Sequence, residues 1–197
     1  MELLLMLFSK RAALVTGTVV TAAAAVIGSA AAGQASGRPS AETHATAPTP
    51  TPSIPPQLQV PDGNKKTAVM DAKGVQTYAC TNGAWTLLEP AATLSDARDI
   101  RHRPIALHSR GPVWVSTVDG SAVNAAAVPG ASVPTPDAVP QLLLKATATR
   151  GDGVFGSVSY IQRLATRGGV APIGSCEQGA QVSVPYSATY VFYAPAQ

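Results

Sequence analysis

The clearest hydrophobic pattern lies in residues 74–89, GVQTYACTNGAWTLLE, where β-favouring residues flank Asn82-Gly83. That dipeptide supplies two positive-φ positions, so the stretch predicts a tight hairpin. A second hairpin is predicted from Pro112 to Val128 around Asp119-Gly120, with Val113, Val115 and Thr117 on one side and Trp114 and Val118 on the other. Residues 141–148, QLLLKATA, are apolar enough for a buried strand, and Thr149 to Gly153 reads as a turn. The stretch from Val154 to Thr166 offers both periods: Val154, Val158 and Ile161 fit helical spacing, whereas its Gly, Ser and β-branched content favours the strand adopted here. Near the end, Tyr186, Ala188, Tyr190 and Phe192 alternate with Ser187, Thr189, Val191 and Tyr193, which predicts a strand whose aromatic face belongs to the core. At most one short helix is expected, within Ala91 to Ile100, where Ser95 offers a cap for a turn containing Asp96. Short strands separated by Gly, Pro and Asn turns predict an all-β fold, an antiparallel β-sandwich or barrel with long loops, and not a βαβ arrangement.

The N-terminal part follows different rules. Lys10 and Arg11 precede an uncharged apolar run from Ala12 to Ala32, the layout of a secretory signal, with small residues suited to cleavage after Ala32 or after Ala35. The rival reading is a retained anchor, because the run reaches the ~20 residues that cross a bilayer. Residues 1–32 are therefore expected to be a signal peptide whose removal leaves no stable membrane span. Residues 33–56, rich in Pro, Thr, Ser and Ala, cannot bury enough surface to offset their ordering entropy, and predict a disordered, semi-stiff linker. Residues 57–197 have the size of one ordinary domain. Charged residues make up 13% of the chain and the formal charge is +3, falling to about +2 if Glu2, Lys10 and Arg11 leave with the signal; this is too mild for a nucleic-acid partner. Cys80 and Cys176 are the only cysteines, and in an exported chain an even count predicts one disulfide. The alternatives lack support, since two thiolates have no partners at metal-ligand spacing and no Cys-x-x-Cys redox pair occurs.

Several motifs occur in order: Gly74-Val75-Gln76-x-Tyr78-x-Cys80, Trp85, His108-x-x-Gly111-Pro112-x-Trp114, Asp119-Gly120-Ser121 and Gln162-Arg163-Leu164. Thr166-x-Gly168-Gly169-x-Ala171-Pro172, Cys176 and Tyr186-x-Ala188-x-Tyr190-x-Phe192-Tyr193 follow. Together they resemble the domain of unknown function 3455 family of secreted bacterial and fungal proteins, across nearly the whole domain. The resemblance implies export and a compact β domain, and it carries no catalytic assignment. The chain departs from the pattern at Arg98 to Arg103, a more basic connection than the family leads one to expect.

The candidate chemistry is sparse. Gly151-Asp152-Gly153-Val154-Phe155-Gly156 is formally G-x-G-x-x-G, but a dinucleotide site needs a helix opening at the glycines and a parallel βαβ context, so a turn is the better reading and no cofactor is expected. His108, Asp119 and Ser121 supply the parts of a hydrolytic triad, yet Asp119-Gly120-Ser121 reads more naturally as a tight turn. His102 and His108 with nearby aspartates match no familiar ligand spacing, so no metal is expected. The run Arg98, Arg101, His102, Arg103 and Arg110 is either a solvated loop or a contact for an anionic wall polymer. His108, beside Gly111-Pro112 and Trp114, is either a buried hydrogen-bonding histidine or a polar group in a ligand pocket. The leading expectation is a secreted or envelope-associated, non-catalytic binding module for a cell-wall polymer or glycan, with His108, Trp114, Asp119, Ser121 and Arg163 as candidate binding residues. A secreted hydrolase using His108 and a structural protein without a small ligand are the alternatives, and no signal in the chain sets an oligomeric state.

Overall fold

The computed structural model describes residues 54–196, so the predicted signal peptide and all but the end of the predicted linker lie outside the described residues. After one 3-10 turn at Pro56–Leu58 come eight strands: β1 (Asn64–Thr81), β2 (Ala84–Asp96), β3 (Pro104–Ser109), β4 (Val113–Ser116), β5 (Ala122–Thr135), β6 (Ala138–Arg150), β7 (Tyr160–Gly168) and β8 (Gln181–Pro195). Each strand pairs antiparallel with its neighbours in sequence, and β8 returns to β1 in register from Asn64 opposite Pro195 to Ala79 opposite Gln181. The sheet is thereby closed into a barrel, the second of the two expected all-β architectures.

Local chemistry explains where the strands turn and which way their side chains point. Asn82 and Gly83 adopt φ of 54° and 77°, the paired left-handed positions that let β1 fold back directly onto β2. Along β8, Tyr186, Ala188, Tyr190 and Phe192 point inward and are buried, as their period-two spacing requires. Met70 and Ala72 of β1, Leu94 of β2, Trp114 of β4 and Ile161 of β7 meet them in one core. Full burial of each large apolar side chain contributes roughly 1.5–3 kcal/mol. Outward positions include Lys73, Thr93, Ser109 and Lys145, all exposed, so the barrel is apolar within and polar without, the inverse of a lipid-facing barrel. Among the described residues no helix is long and apolar enough to cross a membrane.

A smaller apolar cluster sits on the outer wall. Leu58, fully buried, packs with Ala131 and Leu143, and its carbonyl accepts a 2.6 Å hydrogen bond from Gln162 Nε2. Gln162 Oε1 in turn accepts from the Tyr193 hydroxyl at 2.9 Å, so the segment before β1 is clasped to the barrel.

Two elements differ from expectation. The short helix within Ala91 to Ile100 does not form, because Ala91 to Asp96 continue β2 and pair with Met70 to Val75. Only after that does the chain turn, with Asp96 Oδ1 accepting from the Arg98 amide. Cross-strand pairing overrides the local capping signal there. The strand expected from Val154 begins only at Tyr160. Val154 to Val158 instead form an irregular loop that drives Phe155 and Val158 into one end of the barrel, where both are buried.

Candidate functional site

The two ends of the barrel are built differently. The first end, reached by the β4–β5 and β6–β7 connections, is stoppered by Phe155. Asp119 holds this stopper: its Oδ1 accepts from the Ser121 amide at 2.9 Å and the Ser121 hydroxyl at 2.6 Å, and its Oδ2 accepts from the Val154 amide at 3.1 Å. Ser121 Oγ accepts from the Phe155 amide at 3.0 Å. The Ser121 hydroxyl followed by these amides holds the Asp119 carboxyl down at about 2. A Cβ at Gly153 would stand 2.2 Å from the Asp119 carboxylate, and one at Gly156 would stand 2.1 Å from the Gly151 carbonyl oxygen. Close approach, not a phosphate, accounts for those glycines.

The opposite end is open. β3 has 6 residues and β4 has 4, against 18 in β1 and 15 in β8, so the wall is low where Arg110, Gly111 and Pro112 connect β3 to β4. Beside this low wall lies a half-enclosed cavity of about 370 Å³. Trp114 and Tyr190 are its deepest residues, His108 and Gln76 form its sides, Leu142 and Leu144 add an apolar face, and Arg163 reaches in from β7. Glu89 and Arg110 stand at its edge. The far wall is braced by the Cys80–Cys176 disulfide, which ties the end of β1 to the β7–β8 loop across a sequence separation of 96. The Tyr78 hydroxyl donates to the Gly169 carbonyl at 2.6 Å in the same wall. Gly169, at φ 79°, is pressed between Gln76 and Tyr186, and a Cβ there would come within 2.9 Å of both side chains.

His108 is almost wholly buried. Its ring stacks on Trp114 with centroids 4.2 Å apart and planes 5° apart, and Tyr190 meets both rings edge-on at 5.4 Å. Its Nδ1 lies 3.0 Å from the Val113 carbonyl, which only accepts, so Nδ1 carries the proton and Nε2 a lone pair. Burial, with the Arg163 charge as a lesser contributor, lowers this imidazole from its ordinary 6.5 to about 4, so it is neutral at pH 7. Burial likewise raises the Tyr186 and Tyr190 hydroxyls above the usual phenol range. Arg163 donates from Nε and Nη2 to the Pro140 carbonyl, at 3.1 and 2.8 Å. No carboxylate lies within ion-pair distance of it among the described residues.

Buried polar atoms accumulate here without partners. Gln76 Nε2, Trp114 Nε1 and the hydroxyls of Tyr186 and Tyr190 are inaccessible and complete no hydrogen bond of good geometry, although Tyr186 faces Gln76 and Tyr190, and Tyr190 faces Arg163, closely enough to perturb both phenols. All four belong to this end of the barrel, whereas the stoppered end has no such atom among the described residues.

The structure brings His108, Trp114 and Arg163 together at the cavity and places Asp119 and Ser121 outside it, in the stopper. Gln76 and Tyr190 join the site although sequence reasoning left the first aside and assigned the second to the core; Tyr186 is buried beside them without lining the cavity. Parity held the missing signal: Gln76 shares the inward phase of Met70 and Ala72, and Arg163 shares that of Ile161, so each is a polar group aimed into an apolar barrel. The basic run is divided. Arg98 pairs with Asp96 at 3.2 Å and Arg103 with Asp99 at 2.8 Å in the β2–β3 turn, while Arg110 stands at the cavity edge. Among the described residues no three His, Cys, Asp or Glu side chains gather as a metal site.

Comparison with curated proteins and with solved structures yields no match. A family model does match residues 61–194, nearly the whole barrel, in line with the motifs from Gly74 to Tyr193, and the chain belongs to that family, described as Protein of unknown function (DUF3455).

Proposed function

We propose that the domain is a non-catalytic binding module of the cell envelope or exterior, which admits one residue or one end of a surface polymer or glycan into the open end of its barrel. The observation that carries this reading is a half-enclosed cavity lined by Gln76, Trp114 and Tyr190, each with a buried polar atom that completes no hydrogen bond. Buried polar groups are almost always hydrogen-bonded, and each one left alone costs about 1–3 kcal/mol. Three residues that bear this cost line the cavity, and a ligand that shifts them into contact supplies the missing partners. The cavity volume falls within the ~300–1,000 Å³ of small-ligand sites, and eight-stranded barrels hold one small ligand in this way. The disulfide accords with an oxidising compartment outside the cytoplasm.

Binding is favoured over hydrolysis because the cavity lining contains no serine, threonine or cysteine, and His108 has no carboxylate to orient it. Calorimetric titration of the disulfide-intact chain with defined cell-wall oligosaccharides, monitored in parallel by Trp fluorescence, tests the reading. Saturable binding that Gln76→Leu weakens supports it. Absence of binding to every fragment, with turnover of an ester, glycoside or peptide by the same sample, rejects it in favour of an enzyme.

A further inference from the structure

The charge inside the open end narrows the chemistry of what enters it. Arg163 lines the cavity among aromatic and aliphatic residues and makes no ion pair, the other charged residues of the lining being Glu89 and Arg110. An unpaired charge in such surroundings is costly, and the cost is relieved by an anion brought in with the ligand. Both hydrogen bonds that Arg163 makes go to the Pro140 carbonyl from the Nε–Nη2 side. That leaves the Nη1–Nη2 edge, one of the two forks of a guanidinium that match the oxygens of a carboxylate. The remaining groups point the same way: Gln76 Nε2 and Trp114 Nε1 only donate, and the two tyrosine hydroxyls can donate. Together they form a donor-rich wall suited to acceptor oxygens.

Counting charge along the lining separates one kind of anion from another. Arg163 and Arg110 are positive, Glu89 is negative, and His108 is neutral, so the lining carries one net positive charge. A monoanion balances it, whereas a dianion leaves an excess negative charge against apolar walls and beside Glu89.

We propose that the cavity recognises a ligand carboxylate, held by the free edge of Arg163 within walls lined by Tyr190 and Gln76, so that an acidic sugar residue is the class of ligand it takes. This rests on the binding-module reading above and sharpens it from glycan to uronic-acid-like residue.

The test compares D-glucuronate and D-galacturonate with glucuronamide, glucose and inorganic phosphate, using the full disulfide-bonded chain and Trp fluorescence together with calorimetry. At least one uronate is expected to bind about tenfold or more tightly than glucuronamide, which keeps the shape and loses the charge. Arg163→Gln should abolish that preference, and Arg163→Lys, which keeps the charge but not the fork, should reduce affinity about tenfold. Arg110→Gln at the edge should weaken uronate binding as well, but by less than Arg163→Gln does. Since Arg163 also holds the Pro140 carbonyl, thermal unfolding accompanies each variant, and the wild-type comparison of acid with amide stands whether or not the variants fold. Equal binding of acid and amide overturns the carboxylate assignment while leaving the binding module intact, as does tighter binding of phosphate than of either uronate. Binding of neutral wall oligosaccharides with none of either uronate has the same effect. If neither sugars nor wall fragments bind, both readings fall.

Discussion

The stoppered end and the open end of this barrel use the same kinds of side chain for opposite purposes. At the first, Asp119 and Ser121 satisfy each other and the amides of Val154 and Phe155, and the apolar Phe155 fills what remains. At the second, Gln76, Trp114, Tyr186 and Tyr190 are buried, whereas Asp119 is exposed, yet each of the four leaves a polar atom without a well-formed hydrogen bond. Hydrogen-bonding capacity is consumed within the protein at the stoppered end, and left incomplete at the end we propose for recognition. A polar triad of Asp, Ser and His on paper thus resolves into a structural clamp at one end and a stacked, neutral imidazole at the other.

The contrast can be broken most forcefully through the disulfide that braces the open end. Replacing both Cys80 and Cys176 by Ser releases a constraint spanning 96 residues, worth about 4–5 kcal/mol in the loop-entropy account, read as a lowered denaturant midpoint. Next in size is Phe155→Ala, expected to cost about 3–5 kcal/mol by emptying the stopper while leaving any ligand affinity at the far end within a few-fold of wild type. If that substitution abolishes binding, the two ends are not independent.

Acid should act on the two ends in separate windows. A folded-state value of about 4 for His108, below its ordinary 6.5, means that the unfolded chain takes up the proton first, so stability falls as pH drops from 6.5 towards 4, by up to roughly 3 kcal/mol. Asp119, held at about 2, contributes stability that is present above pH 4 and is lost as pH falls towards 2, a window it shares with Asp99. His108→Gln should flatten the upper window and leave the lower one, as measured by urea unfolding at stepped pH; a slope that survives the substitution assigns the proton elsewhere.

The smallest pair of effects is also the most discriminating. Ser121→Ala strands the Phe155 amide and should cost about 1–3 kcal/mol, whereas Tyr190→Phe removes a hydroxyl that has no partner and should be neutral or stabilising within about 1 kcal/mol. Thermal unfolding of the two variants side by side decides it, and a Tyr190→Phe loss as large as that of Ser121→Ala would place a partner on that hydroxyl.

Much of the barrel was legible because its signals are local. Asn82-Gly83 announces its own turn, and the aromatic alternation of β8 needs no knowledge of neighbours. The errors lie where partners far along the chain decide. Ala91 to Asp96 carry a plausible helix cap, but the waiting edge of β1 captures them as strand. Val154, Phe155 and Val158 lie in a stretch whose β-branched content favours a strand, yet they serve as a stopper whose socket is made by Asp119 and Ser121, more than thirty residues earlier. The candidate site was half visible: His108, Trp114 and Arg163 stood out as residue types, yet only closure of the sheet shows that Gln76 and Tyr190 converge on them. Nothing local separates these from Asp119 and Ser121, which share the same motif series and point into a different part of the molecule.

Closure of the sheet by β1 against β8 has a consequence for how the domain comes into being. Seven of the eight ladders join consecutive strands and can zip as the chain lengthens, but the eighth joins Asn64 to Pro195, the two extremities of the fold. Until β8 arrives, both rims of the growing ribbon present bare amides and carbonyls, the state most exposed to intermolecular pairing. The ring is therefore sealed as a late, cooperative event. A circular permutant that fuses these extremities and reopens the ring between Asn82 and Gly83 would turn the slowest pairing into a hairpin.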